Sequence, residues 1–288
     1  MAGSADDGRE HGHAAHAEVE VPAGPEEVWR AIATDAGTAA WMFATEIGTG
    51  VGATVVFHRE PFSRDAAATV TAWDPPRRFA YEEPIDPGDG SPAVPLATEF
   101  LVEARTGGTC VVRVVSTLSH DGEGWEDLIE GAGAGWRMAL TVLRSYLTHF
   151  AGQVSAHLDV ISRVDRPLGD GAEVYAALMH RLGLTGLKAG DPFHMPHDAP
   201  RLTGVVEHTA GDFVLLRAHE PCPALVAMST LSMDGLTLSV NLSGRLYGRD
   251  AAAIAAQERP RWQAWLSDRF PPPAQPAQIQ HDDPTSRR

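Results

Sequence analysis

The sequence has almost no lysine and almost no cysteine. Lys188 is the one lysine among 288 residues, and 38 acidic residues outnumber 23 basic ones, for a formal net charge of -15. Nucleic acids and anionic membrane surfaces are bound by clustered basic residues, so this charge balance argues against both as partners. Cys110 and Cys222 lie far apart in apolar segments, which excludes a disulfide framework and a CxxC redox or zinc motif. We expect two buried free thiols.

Long apolar runs are also absent. No stretch approaches the ~18 apolar residues of a transmembrane helix, and the N-terminus has no apolar signal-peptide core. Hydrophobic residues nevertheless make up 43% of the chain and charged residues 21%, which is enough apolar material for a sizeable core. These features predict a soluble protein of a reducing cytoplasm.

Both ends of the sequence are polar. Residues 1–15 are rich in glycine, alanine and charged side chains, which predicts a flexible tail. Three consecutive prolines begin at Pro271, and neither a helix nor a strand passes through such a run, so residues 271–288 are predicted to form an extended tail. Between the tails we expect two units, residues 16–150 and residues 154–270.

The first unit shows a strand, a short helix, several strands and a long helix, in that order. An alternating valine–glutamate segment opens it, Pro25 begins the short helix, and strand-like runs separated by turn residues follow. From about Trp125 to Phe150, apolar residues recur at spacings of three and four and form one broad stripe. Gly131, Gly133 and Gly135 in this helix indicate a kink or a close approach of its backbone to a packed neighbour.

The second half repeats this order of elements in a shorter form. A strand and a helix, HLDVISRV and GAEVYAALMHRLG, are followed by four strand-like runs and by a helix from about Asp250 to Phe270. Pro260 is expected to kink or split that last helix. The repeated order predicts a tandem duplication with a divergent second copy.

Four segments of the first unit carry a resemblance to a known family. They are VEVPAGPEEVWRAIATDAGTAAWM, WDPPRRFAYEE, ATEFLVEARTGGTCVVRVVSTL and GWRMALTVLRSYL. In order and spacing they resemble the START-like (Bet v 1-like, SRPBCC) superfamily, and within it bacterial proteins similar to the C-terminal domain of the Hsp90 ATPase activator. The resemblance covers about residues 16–150. It implies a curved antiparallel sheet around the long helix, with a cavity between them that holds an apolar ligand.

The predicted fold class is therefore α+β, with two tandem helix-grip units, each an antiparallel sheet around a long C-terminal helix. The ligand-binding residues are predicted to surround the space between helix and sheet in the first unit. They are Trp41, Phe57, Tyr81, Arg113, Trp136 and Leu140. Core packing is the alternative explanation for the aromatic members of this set.

Several polar residues interrupt the apolar strands of the first unit. They are His58, Arg59, Glu82, Glu99 and Arg113. Arg113 lies within a continuous run of valines and is the one expected to face inward, with Glu99 or Glu82 as its partner. A charge on the outer face of the sheet is the alternative, since side chains alternate along a strand.

Other motifs favour structural explanations. The histidines of Glu10–His16 and the His194–Asp198 segment could supply metal ligands, but no regular element fixes their geometry. Ser119, His120 and Asp121 are adjacent and are typical of a turn, because a catalytic triad assembles in space rather than in sequence. No nucleophile elbow, zinc-protease, P-loop or dinucleotide motif is present. No catalytic residue, metal or cofactor is predicted.

Three functions follow from the residues and the resemblance. The first is a non-catalytic protein, regulatory in role, that binds an apolar small molecule in the helix–sheet cavity. The second is a polyketide aromatase/cyclase, an enzyme class of the same superfamily that includes two-domain members. The third is an Hsp90-activator-like co-chaperone, which is disfavoured because the activator's separate N-terminal Hsp90-binding domain is missing from this sequence. The sequence leaves homodimer formation open.

Overall fold

The computed structural model of the protein describes residues 13–86, 92–118, 125–231 and 237–272. The strands of the first unit are β1 (His13–Val21), β2 (Ala44–Ile47), β3 (Thr54–His58), β4 (Ala66–Asp74), β5 (Arg78–Ile85), β6 (Val94–Ala104) and β7 (Cys110–Leu118). Its helices are α1 (Pro25–Ile32), α2 (Asp35–Ala39) and α3 (Trp125–His149).

The second unit has its own strands and helices. The strands are β8 (Ser155–Arg163), β9 (Pro192–His194), β10 (Thr203–Thr209), β11 (Phe213–Glu220), β12 (Ala224–Leu231) and β13 (Ser239–Tyr247). Its helices are α4 (Gly171–Arg181) and α5 (Ala251–Arg269).

The first unit is one antiparallel sheet of seven strands, in the order β1-β7-β6-β5-β4-β3-β2. Buried and half-buried residues alternate strictly along β7, so one face of the sheet is covered and the other is open to water. The long helix α3 covers the inner face and packs against β1 and β7. A Cβ placed on Gly133 of α3 would lie 3.7 Å from Ala15 of β1, an ordinary contact distance, and one on Gly131 or Gly135 would meet no atom within 4 Å, so these glycines do not mark a close approach of the helix backbone.

The second unit is a separate antiparallel sheet in the order β8-β13-β12-β11-β10-β9. The helix α4 packs against β12, and α5 packs against β8 and β13. The helix α5 is not split at Pro260, contrary to one of the two outcomes expected. Contacts on both sides of the proline hold it to the sheet: Arg259 donates to the carbonyl of His157 and Gln263 donates to the carbonyl of Ile161.

The second sheet is covered on both faces. Along β11, Phe213 and Leu215 belong to the apolar core of the first unit, whereas Val214 and Leu216 belong to the core under α4 and α5. The helix α3 connects Phe213 and Leu215 to the first core, because it packs against β11 and β12 as well as against its own sheet. The two units are therefore joined by a continuous apolar core, with α3 between the two sheets.

The α+β architecture in two tandem units, each with a long C-terminal helix, is confirmed. Two local expectations were wrong. The first strand begins at His13, because alanines 15 and 17 turn inward under α3 and extend the pairing with β7. His194, for which no regular element was expected, ends the short strand β9, which pairs with β10. Most of both predicted tails, residues 1–12 and 273–288, lies outside the described residues.

Candidate functional site

Three hydroxyl side chains form a line across the inner face of the first sheet. Tyr81 on β5 pairs in register with Thr98 on β6, and Thr98 pairs in register with Ser116 on β7. All three are buried, with 1–4% of their surface exposed. The Thr98 Oγ1 and Ser116 Oγ atoms lie 2.9 Å apart, and Thr98 also forms a side-chain hydrogen bond with Tyr81. We call these residues the hydroxyl row.

Trp136 connects the long helix α3 to the hydroxyl row. Its indole Nε1 donates to Ser116 Oγ at 2.9 Å, and an indole nitrogen has no acceptor role. The Ser116 hydroxyl accepts this bond and shares a second hydrogen bond with Thr98, in which either oxygen can be the donor because a hydroxyl has two acceptor lone pairs. Tyr81 ends the hydroxyl row, next to Thr98.

The Tyr81 phenol is protonated across the ordinary pH range. Burial raises its pKa well above the usual value, and the nearby Arg59 charge opposes this increase only in part. Its ring lies 5.1 Å from the ring of Phe57 and 5.7 Å from that of Phe79, centroid to centroid. The apolar neighbours hold the phenol in place, and the protonated hydroxyl can donate to a carbonyl or hydroxyl oxygen but does not act as a base.

A buried ion pair lies beside Tyr81 on the same face of the sheet. The two terminal nitrogens of Arg59 donate to the two carboxylate oxygens of Glu83, at 2.7 and 2.5 Å. The side chain of Glu83 is 8% exposed and that of Arg59 is 22% exposed. Alternation accounts for this placement, because Arg59 follows the inward-facing Phe57 by two residues and Glu83 follows Tyr81 by two. The guanidinium is also 5.1 Å from the Phe57 ring.

The hydroxyl row lies between two apolar regions. On one side is the main core of the first unit, which includes Phe100, whose ring meets the Trp136 ring edge-on at 5.4 Å. On the other side is a separate small cluster that contains Leu118 and Ile129, with Leu96 half-buried at its edge. A ligand in contact with the row would therefore touch apolar side chains in both directions.

The N-terminal half of α3 packs more loosely than the C-terminal half. Between residues 130 and 139 most positions are half-buried or exposed, whereas most positions from 140 to 150 are buried. A Cβ placed on Gly135 would meet no atom within 4 Å. The loosely covered segment includes Trp136, whose indole contacts the hydroxyl row.

The structure places five of the six predicted ligand-binding residues in one core. Trp41, Phe57, Tyr81 and Leu140 are buried there, and Trp136 is half-buried at its edge. Phe57 and Tyr81 are in contact on the inner face of the sheet, and Trp136 contacts Ser116 on the same face. The Trp41 indole is held elsewhere, since its Nε1 donates to the carbonyl of Ala31 at 2.8 Å.

Arg113 is the exception, and its predicted inward orientation was wrong. Its side chain is 42% exposed on the outer face and pairs with Glu18 of β1 at 3.1 Å. The suggested partners are also on the outer side, where Glu99 pairs with Arg78 and Glu82 is exposed. The valines beside Arg113 on β7 are not all core residues. Val112 and Val114 are buried, and the alternating positions face outward whatever their polarity.

Arg59 is the arginine that turns inward, and the hydroxyl row itself was missed. Arg59 was one of five polar candidates in the strands, but its position just beyond an apolar strand gave no sign of its direction. Thr98 and Ser116 gave no signal at all, because threonine and serine are ordinary strand residues. Knowledge of the strand register would have aligned them with Tyr81.

The other candidate motifs do not form a site in the described part of the chain. Asp198 pairs with Arg269 at 2.7 Å, and His58 on the outer face bonds Asp65 and Glu46 at 2.8 and 3.2 Å. Those two hydrogen bonds raise the pKa of His58. Within the residues described, no group of histidine, cysteine or acidic side chains could hold a metal ion. Ser119–Asp121 lies outside them.

Two surface recesses lie outside the helix–sheet interior. One, of about 370 Å³, is on the outer face of the first sheet and is lined by Arg77, Arg78 and Arg113. The other, of about 440 Å³, lies where β1 meets α3 near Ile129 and Arg137. Among the described helices, none is both long enough and apolar enough to cross a membrane.

A family model matches the first unit. Residues 13–151 match the family model described as polyketide cyclase / dehydrase and lipid transport. No curated protein sequence matches the chain.

Similar solved structures include two that cover most of the chain. The di-domain aromatase/cyclase BexL from the BE-7585A biosynthetic pathway is 12% identical, covers 91% of this chain and 99% of its own, and has a TM-score of 0.42. DynU16, a putative protein of the dynemicin biosynthetic locus, is 15% identical, covers 90% of this chain and 96% of its own, and has a TM-score of 0.41. The Aha1 dimer from Colwellia psychrerythraea is 19% identical over 48% of this chain and 98% of its own, with a TM-score of 0.39.

The family match spans the seven-stranded sheet and the helix α3, which together carry the hydroxyl row. The match and the fold of residues 13–151, just under half of the chain, agree with the resemblance of the first unit to the START-like superfamily.

Proposed function

We propose that the first unit binds a neutral, largely apolar small molecule that carries at least one oxygen atom, and that it does so without converting it. The binding site is the space between the N-terminal half of α3 and the hydroxyl row. The buried hydroxyl row, with Tyr81 at its end among apolar side chains, is the observation that carries this proposal. Ligand sites are typically apolar surfaces with a small number of polar groups that orient the ligand.

The charges near the site favour a neutral ligand. Both terminal nitrogens of Arg59 donate to Glu83, so the charge of the guanidinium is already paired with a carboxylate. An anionic ligand in the same space would also lie close to the Glu83 carboxylate. The hydroxyl row offers a donor without a net charge, which suits a ketone, an ester or an alcohol on an apolar skeleton.

The hydrogen bonds of the site favour binding over catalysis. Ser116 bonds Thr98 and Trp136 rather than a histidine, so the row supplies no activated nucleophile. The raised pKa of Tyr81 keeps its phenol a donor and prevents it from acting as a base.

A fluorescence titration with an environment-sensitive apolar dye such as Nile red tests the proposal. The wild type should bind the dye, and Trp136→Ala should change its affinity because the indole contacts the hydroxyl row. Trp73→Ala is the matched control: Trp73 is also a half-buried tryptophan of the first unit, but it packs against Trp29 and Phe79 instead. The Trp73→Ala variant should bind the dye with wild-type affinity.

A solid interior would give a different pattern. The wild type would then bind no dye, and Trp136→Ala would chiefly lower stability, by up to the ~3–5 kcal/mol typical of a large buried aromatic. That result would overturn the proposal. Native mass spectrometry of protein purified without detergent would identify the class of a retained ligand directly.

A second candidate function is a polyketide cyclase, and the Tyr81 donor is the observation that favours it. An intramolecular aldol condensation forms a carbon–carbon bond between an enol carbon and a ketone carbon and releases water. A protonated phenol can donate to the ketone oxygen in that step. Incubation with a reactive poly-β-ketone should then give cyclised product in the wild type and much less in Tyr81→Phe. Equal product patterns with and without the protein would exclude this function.

A further inference from the structure

The second unit holds one short segment of the first unit through side-chain hydrogen bonds to its backbone. We call residues 39–43, which end α2 and lead into β2, the anchored segment. The Tyr247 hydroxyl donates to the carbonyl of Ala40 at 2.8 Å, and Arg245 Nε donates to the carbonyl of Met42 at 2.7 Å. His157 Nε2 lies 2.8 Å from the carbonyl of Ala39. Each residue of this trio comes from the sheet of the second unit.

The trio is itself rigidly supported. Arg245 is 3% exposed, and its NH1 donates to Asp159 at 2.7 Å; the Asp159 side chain is 7% exposed. Burial raises the pKa of Asp159, but the Arg245 charge and the His157 hydrogen bond outweigh it and leave that pKa below its usual value. The ring of Tyr247 stacks on Phe150 at 4.1 Å, with an interplanar angle of 11°. A buried, charged and stacked framework of this kind can fix the position of the carbonyls it binds.

The anchored segment leads directly to the candidate binding site. It contains Trp41, which is buried in the core of the first unit, and it continues into the edge strand β2. In β2, Thr45 is buried and pairs in register with Phe57, whose ring contacts Tyr81. A shift of the segment would therefore move the edge of the sheet beside the phenol.

We propose that the second unit is a positioning element for the ligand site of the first. His157, Arg245 and Tyr247 act as positioning residues: they hold the anchored segment so that β2 and Phe57 keep Tyr81 and Arg59 in the geometry that binds ligand. This inference rests on the proposed ligand-binding function. It assigns the second unit a role in that function that requires no ligand site of its own.

Two variants separate positioning from general stability. The test variant is His157→Ala with Tyr247→Phe, which removes two bonds to the anchored segment while Phe keeps the ring that stacks on Phe150. The control variant is Ser162→Ala with Thr230→Val. It removes two comparable side-chain-to-backbone bonds of the second unit, to Phe270 and Gly171, that do not involve the anchored segment.

The readouts are hydrogen–deuterium exchange of the peptide that covers residues 39–43 and dye affinity, both measured on the full chain. We expect exchange of this peptide to be about tenfold faster in the test variant, because two side-chain hydrogen bonds restrain it in the wild type. Dye affinity should fall about three- to tenfold, since a smaller fraction of molecules has the binding geometry. The control should match the wild type in both.

Each other outcome overturns the inference. Unchanged exchange in the test variant would mean that the second unit does not hold the segment. Faster exchange with unchanged affinity would mean that the segment does not position the site. If the wild type binds no dye, the proposed function fails, and the exchange comparison still decides whether the second unit restrains residues 39–43.

Discussion

Removal of one partner of the Arg59–Glu83 ion pair should destabilise the protein because it leaves a buried charge unpaired, so removal of both should cost less than the two single removals added together. Arg59→Met leaves a carboxylate that is 8% exposed without its bidentate partner. Removal of one member of a fully buried pair typically costs about 3–5 kcal/mol, and we expect about 3 kcal/mol here. Glu83→Gln leaves the guanidinium, which is 22% exposed and has some access to water, so its cost should be lower, about 2 kcal/mol.

The double variant tests the physical reason for these costs. With both charges removed no ion is left buried and unpaired, so the combined change should fall about 2 kcal/mol short of the sum of the single changes. The free energy of unfolding would be measured by urea denaturation at neutral pH, followed by circular dichroism. Arg105→Met is the control: Arg105 and its partner Glu103 have side chains that are 48% and 55% exposed, and its loss should cost less than about 0.5 kcal/mol.

Additive costs for Arg59→Met and Glu83→Gln, within about 0.5 kcal/mol, would refute this reasoning. They would show that the two charges do not depend on each other and that the inner face of the sheet is wet at this point. The neutral-ligand argument would then lose its basis, because a solvated guanidinium would be free to bind an anion.

Two further predictions concern the second unit. Asp159 has a pKa below its usual value in the folded protein, so it stabilises the fold above its unfolded pKa near 4, and this stabilisation is lost as the pH falls through the folded value. Urea denaturation should therefore show a stability gap between wild type and Asp159→Asn at pH 7 that narrows below pH ~4; a constant gap would contradict it. A Cβ on Gly204 would lie 2.1 Å from the carbonyl oxygen of Arg217, whereas one on Gly211 would meet nothing within 4 Å. Thermal denaturation should show Gly204→Ala destabilised by about 3 kcal/mol and Gly211→Ala nearly unchanged; equal melting temperatures would contradict the strand packing.

Local pattern was enough to predict the elements of the fold. The apolar stripe of α3 and the alternation along the strands depend on periods of 3.6 and 2, which a sequence displays directly. The same periodicity predicted that Trp136 and Leu140 lie on the side of the helix that faces the sheet. The order of elements, repeated after residue 150, was likewise visible without coordinates.

Strand register and the packing of the two units were decided only in three dimensions. The hydroxyl row exists because Tyr81, Thr98 and Ser116 align across three strands, and a one-residue slip would turn each of them to the other face. Arg113 was misjudged for the same reason, since a run of valines does not show which of its members face the core. The hydrogen bond from Arg245 to the carbonyl of Met42 joins residues that are 203 positions apart in the sequence. A contact of that kind depends on how two folded units meet, and no local pattern in the sequence encodes it.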